Sequence, residues 1–295
     1  MSTILSQGAC AVLSILVGLA TAPAIGAVSD HDPHQMTKAE RATFLGLTCR
    51  NAAEGIGPGV YSCSRLIGYP RDTRALDFRL AAVAYGAFTR TGADQAYVTY
   101  YSLLEAHMFD FGGGVLFDRS GDSWKLVRWY RGGQMDRCVA LPGPGIVRML
   151  CLSEYTQEGE QLTMVSVRAV PASARESWDS ALPVQAPGGS GHFRLLISAV
   201  NTRNVNAHLF KASQHCGALS EYQPHVLSID SLRRSARRGF FAQSEATYIT
   251  AKQDYEACMA DASGKVKGTN MTIYYALRNG EVKVESPVAI GQATP

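Results

Sequence analysis

The apolar positions of this chain fall into short runs broken by glycine, proline and Asn-Gly, a pattern that predicts strands and tight turns. Ala96–Tyr101 is β-branched and aromatic. Val115–Phe117 and Trp124–Tyr130 flank a turn at 118–123 and read as a hairpin. In the latter strand, strict alternation sends Trp124, Leu126 and Arg128 one way and Lys125, Val127 and Trp129 the other. Cys138–Cys151 encloses two apolar runs around Pro142-Gly143-Pro144-Gly145, which predicts a second hairpin with the two cysteines opposite each other. Further strands are expected at Leu162–Arg168, Phe193–Val200, His208–Phe210, Thr247–Thr250 and Met271–Leu277. The last of these turns at Asn279-Gly280, a strong hairpin signal, into a strand with Val282 and Val284 inward.

The helical period is confined to Asp30–Arg50, where Thr37-Lys38-Ala39-Glu40 has the form of a capping box ahead of Phe44, Leu45 and Leu47. The expected fold is therefore mostly β: two antiparallel modules, sandwich-like or incomplete propeller-like, preceded by a short N-terminal helix. The boundaries are a leader at 1–27, a helix and disulfide-tied arm at 28–75, a first module at 76–170, a breaker-rich linker at 171–191 and a second module at 192–295. Phe88 with AYVT (96–99) echoes Phe240 or Phe241 with TYIT (247–250). The hairpins at 116–127 and 274–284 echo each other too, which makes a faint internal repeat.

Composition adds the compartment. The chain has 295 residues, 46% hydrophobic and 18% charged, and a net charge of +3. That is too apolar for disorder and too weakly basic for a dedicated nucleic-acid binder. Residues 1–27 carry no Lys, Arg, Asp or Glu, and the apolar core Ala9–Ala22 has the length of a secretory segment. Cleavage is expected after Ala27, with Ala22-x-Ala24 as a competing site. Retention as an anchor is the alternative, because a positive n-region is missing. No later stretch predicts a membrane span. Six of the seven cysteines follow the leader, and an even number in an exported chain reads as disulfides. Six cysteines allow 15 pairings; order and spacing favour Cys49–Cys63, Cys138–Cys151 and Cys216–Cys258 over the rest, and over a zinc site, since no C-x-x-C occurs.

Candidate chemistry is sparse. Gly86–Ala96 resembles the blade-start loop of FG-GAP or VCBS repeats, which join into propellers, and the resemblance implies calcium held by several aspartates. Here Asp94 stands alone, so calcium is not expected. Glu105, His107 and Asp110 beside Phe111-Gly112-Gly113-Gly114 form the one acid–base cluster, with glycines that permit close approach to a ligand. Tyr100, Tyr101, Trp124, Trp129 and Tyr130 are candidates for an aromatic wall. Arg233, Arg234, Arg237 and Arg238 put four guanidinium groups in six positions; if helical, they would gather on one face and attract an anionic partner, against the plainer reading of a solvated loop. His31-Asp32-Pro33-His34 would bind copper or nickel only if cleavage exposed Ser29. No phosphate loop, dinucleotide fingerprint, haem motif or nucleophile elbow occurs, and no cofactor or metal is expected. Asn270-Met271-Thr272 is a glycosylation sequon. The sequence thus points to a periplasmic or extracellular, non-enzymatic binding or scaffold protein. Its expected partner is an anionic envelope component or another exported protein. An envelope hydrolase using Glu105, His107 and Asp110, or an inhibitor of another exported protein, are the alternatives.

Overall fold

The computed structural model describes residues 31–70, 73–102, 112–157, 160–171, 184–186, 189–191, 195–201, 216–260 and 268–287. The N-terminal part contains β1 (His34–Gln35), α1 (Lys38–Thr48), β2 (Cys49–Arg50), β3 (Ala53–Glu54), β4 (Tyr61–Cys63) and β5 (Arg65–Leu66). Four longer strands follow: β6 (Ala75–Gly86), β7 (Gln95–Tyr101), β8 (Gly112–Ser120) and β9 (Ser123–Arg131). These build a seven-stranded sheet in the order β3-β4-β6-β7-β8-β9, with β1 on β6. Next come β10 (Cys138–Ala140), β11 (Arg148–Gln157), β12 (Glu160–Ala169), the small pair β13 (Val184–Ala186) and β14 (Gly189–Gly191), and β15 (Leu195–Asn201). β10-β11-β12-β15 form a second sheet. The third sheet is β16 (His225–Arg234), β17 (Ala242–Ile249), β18 (Thr269–Arg278) and β19 (Glu281–Glu285), with α2 (Ala251–Met259) between β17 and β18. All pairings are antiparallel.

The three sheets stack through three apolar layers, a sandwich with an additional slice. Phe44 of α1 packs with Val83, Val98, Val115, Phe117 and Trp129 on one face of the first sheet. The other face offers Ala84, Tyr97, Leu116 and Tyr130 to Met149, Cys151, Cys138 and Ala140 of the second. The second sheet's remaining face, with Leu150, Leu152, Val165 and Val167, meets Ile229, Ala246, Ile273 and Tyr275 of the third. Alternate residues of Met149–Leu152 thus enter different cores, which is why that stretch is apolar throughout. β15 pairs with β12 across residues 171–191, and one core joins the two halves of the chain. β6–β9 and β16–β19 are both four-stranded meanders, and the echoing segments occupy equivalent strands in them.

Local signals formed as read in several places. Thr37 caps α1, and Glu40 returns the capping-box bond. Asn279 and Gly280 adopt positive φ (52° and 78°) in the β18–β19 turn, and Val282 faces the core. The disulfides are Cys49–Cys63, Cys138–Cys151 and Cys216–Cys258. Cys138 and Cys151 are direct partners 4.1 Å apart at Cα, the spacing of a non-hydrogen-bonded pair.

Four expectations change. A second helix, α2, follows β17, capped by Thr250 with Gln253 in a second box. Trp129 faces the same core as Trp124 and Leu126 because a bulge at Val127 shifts the phase: Leu116 pairs with Arg128 but Phe117 with Leu126. Arg233 and Arg234 end a strand, and Arg237 and Arg238 lie in the turn after it, so no helical face gathers them. Gly112–Gly114 open β8, and a Cβ on Gly114 would lie 1.9 Å from the Tyr97 hydroxyl, so the missing side chain makes room for that buried ring. The strand expected at His208–Phe210 lies outside the described residues.

Candidate functional site

The first sheet has a gap at its edge. β6 is twelve residues long, and its outer neighbours cover only parts of it: β4 pairs as far as Phe78, and β1 pairs with Ala82 and Val83. On the β7 side, a bulge sets Ala81 and Ala82 against one residue. Between the two partial neighbours opens a cleft of about 530 Å³. Its walls bring together Pro33 and His34 of the arm, Arg41 of α1, Arg79 of β6, Tyr101 of β7 and Asp136 of the β9–β10 connection.

Three residues on one face of β7 fix that connection. The Tyr97 hydroxyl donates to the Gly133 carbonyl (2.7 Å), Thr99 Oγ1 accepts from the Met135 N–H (3.0 Å), and the Tyr101 hydroxyl donates to Asp136 Oδ2 (2.6 Å). Alternate positions of a strand share a face, so the ladder 97, 99, 101 holds Asp136 in place. Arg79 is the cross-strand partner of Tyr101 and projects to the same side. Arg41 enters from α1. Its Nε is buried without a hydrogen-bond partner, and its Nη1 lies 3.0 Å from where a Cβ on Gly59 would sit. Gly59, at φ +73°, leaves that guanidinium its room.

Beside the cleft, the Glu40 carboxylate accepts from the Tyr85 hydroxyl (2.7 Å), from the Thr37 N–H and hydroxyl (2.8 Å each) and pairs with His34 Nε2 (3.2 Å). Burial pushes the Glu40 carboxyl up, but these bonds outweigh it and hold it down at about 2. Burial, and then the same carboxylate, push the Tyr85 hydroxyl upward. This cluster locks α1 onto β6 and so sets where Arg41 stands. Two guanidinium groups therefore line the cleft, and among the described residues neither has an ion-pair partner. Asp136 is the single carboxylate in the wall. The two guanidinium groups equip the cleft to bind an anion.

Of the residues singled out from sequence, Tyr101 lines this cleft. Tyr100 and Trp129 are interior, 1% and 7% exposed, with edge-on rings 5.1 Å apart. These two rings pack in the core and do not line the cleft. Trp124 is half-buried, 5.8 Å from both Phe44 and Tyr85, under the Arg119 guanidinium. Tyr130 is buried and donates to the Pro171 carbonyl. Glu105, His107 and Asp110 lie outside the described residues. The four arginines have three different fates: Arg233 pairs with Glu245 (2.9 Å), Arg234 with Asp32 through two bonds (2.5 and 2.6 Å), and Arg237 stacks on Phe240 and Tyr274 while Arg238 is exposed.

His31 and Asp32 are engaged in structural contacts. His31 Nδ1 meets the Tyr85 carbonyl (2.8 Å), and Asp32 also accepts from the Ala140 N–H (2.7 Å). In the blade-start-like loop, the Gln95 amide does the organising. Its Oε1 accepts from the N–H groups of Phe88 and Thr89, and its Nε2 donates to Thr89 and Asp118. Arg41, Arg79 and Asp136 carry no sequence signal of a site; only strand pairing brings them to Tyr101. Comparison with known proteins returns no matching family model, curated protein or solved structure.

Proposed function

We propose that this is a non-enzymatic binding protein of an oxidising, extracytoplasmic compartment, and that its ligand is a compact anion seated between α1 and the open edge of β6. The carrying observation is the pair of guanidinium groups, Arg41 and Arg79, lining one cleft without a carboxylate partner among the described residues. Planar, bidentate donors of this kind recognise carboxylate and phosphate. The volume lies within the range of small-molecule sites. Asp136, held by Tyr101, offers an acceptor for an amine or hydroxyl on the same ligand. Three disulfides and the apolar run Ala9–Ala22 support the compartment.

Titration calorimetry with inorganic phosphate, acetate, succinate and a short peptide bearing a free carboxylate tests the reading. At least one is expected to bind the wild-type chain, with affinity lost about tenfold or more in R79Q, since a hydrogen bond to a charged group contributes about 1.5–3 kcal/mol. Arg79 is exposed, so that variant should melt as the parent does. Equal binding by parent and R79Q, or no binding of any probe, overturns it.

A further inference from the structure

A second feature lies far from the cleft, at one end of the third sheet. The β16–β17 turn and the β18–β19 turn sit side by side there, because Ala242 pairs with Tyr275 and Arg278 with Glu281. Arg237, Arg238, Gly239, Arg278, Asn279 and Gly280 are all exposed. The Arg237 guanidinium lies 4.7 Å from the Phe240 ring and 4.6 Å from the Tyr274 ring, and the two rings are 5.2 Å apart. That stacking holds an otherwise floppy cation in one place. Arg278 reaches the adjoining turn, with Nη2 3.5 Å from where a Cβ on Gly239 would lie. Three guanidinium groups therefore share one tip.

What separates them from their neighbours is pairing. Arg233 and Arg234, in the same sheet, are each answered by a carboxylate. Arg237, Arg238 and Arg278 form no ion pair among the described residues. The acids of this end are Glu281, which Lys283 engages at 2.5 Å, and Glu285 across from Tyr274. The tip is formed by two exposed turns, so it has no pocket walls to enclose a small anion. A row of exposed arginines over half-buried aromatic rings fits an extended plane of phosphates, with the rings at headgroup depth.

We propose that this tip docks the protein on an anionic lipid surface, with Arg237, Arg238 and Arg278 engaging headgroup phosphates. The proposal is independent of the cleft, and either can stand alone.

Vesicle co-sedimentation tests it. The full chain should bind phosphatidylcholine vesicles containing phosphatidylglycerol and leave pure phosphatidylcholine vesicles unbound. Binding should weaken as salt rises. Each arginine is expected to contribute about fivefold, so R237Q/R238Q/R278Q should lose on the order of 100-fold. Arg237 also packs on its rings, so R238Q/R278Q serves as the variant with little packing to lose; it should lose about 25-fold by the same measure and melt as the parent does. Equal binding to both vesicle types overturns the proposal, as does undiminished binding by R238Q/R278Q. Binding to a soluble polyphosphate with none to the anionic vesicles overturns it too, in favour of a free polyanion.

Discussion

Glu40 shows how one side chain can set a helix and a site together. Its carboxylate takes bonds from Thr37, Tyr85 and His34, so the cap of α1 and the seam between α1 and β6 share an anchor. Because its carboxyl is held at about 2, below an ordinary value of 4.5, folding favours the ionised form. The stabilisation is complete above 4.5 and fades as pH falls through 2. E40Q should therefore lower stability by about 1–2 kcal/mol at neutral pH, the scale of a cap plus a charged hydrogen bond. Urea unfolding of parent and variant across the acid range should show that gap narrowing as pH falls below 4.5. A gap that stays constant would show the charge contributes nothing. The capping box was plain in the sequence, since its partners are three residues apart. The bond from Tyr85 was not, because 45 positions separate it from Glu40.

Elements whose determinants are local were legible as elements. The Cys138–Cys151 hairpin needed only its turn residues and its spacing, and it stands as read. Closing a loop of this size stabilises by about 3 kcal/mol in the chain-entropy model. C138A/C151A should lose that much, or somewhat more since both sulfurs sit in a core, as measured by urea unfolding of the oxidised proteins. A loss near zero would mean that the strand pairing alone fixes the hairpin. Where an element hides an irregularity, periodicity misleads. The bulge at Val127 inserts one unpaired residue and turns Trp129 inward, which no alternation count can anticipate. The second helix was missed for a related reason. Its Thr250-Gln253 cap was available, but of its nine residues only Cys258 is buried, so the apolar stripe that marks a helix is absent.

At the scale of the molecule, the stack has a pin through it. Asp32 receives two bonds from Arg234 of the third sheet and one from Ala140 of the second, while neighbouring His31 meets β6 of the first. One short arm thus touches all three sheets. The pair is only partly exposed, 27% for Arg234 and 16% for Asp32, so removing one partner strands the other. D32A should cost about 2–3 kcal/mol, less than a fully buried pair, and the D32A/R234A cycle should show the two changes to be non-additive. Simple addition in that cycle would reduce the contact to a surface ornament. None of this could be read from sequence, where the segment shows only histidines around an acid. The site shares that opacity: Arg41, Arg79, Tyr101 and Asp136 meet through pairing and a bulge, both of which belong to the assembled sheet.

The pin also carries a statement about time. The ribosome delivers Asp32 early and Arg234 some 202 positions later. Until the later residue arrives, the arm has no guanidinium to close on, and the face of the second sheet carrying Leu150, Leu152, Val165 and Val167 has nothing to cover it. A growing chain can assemble its helix and hairpins as they emerge, but the clasp between the arm and the third sheet waits for residue 234 of 295. Completion, and not accumulation, is what fastens this fold.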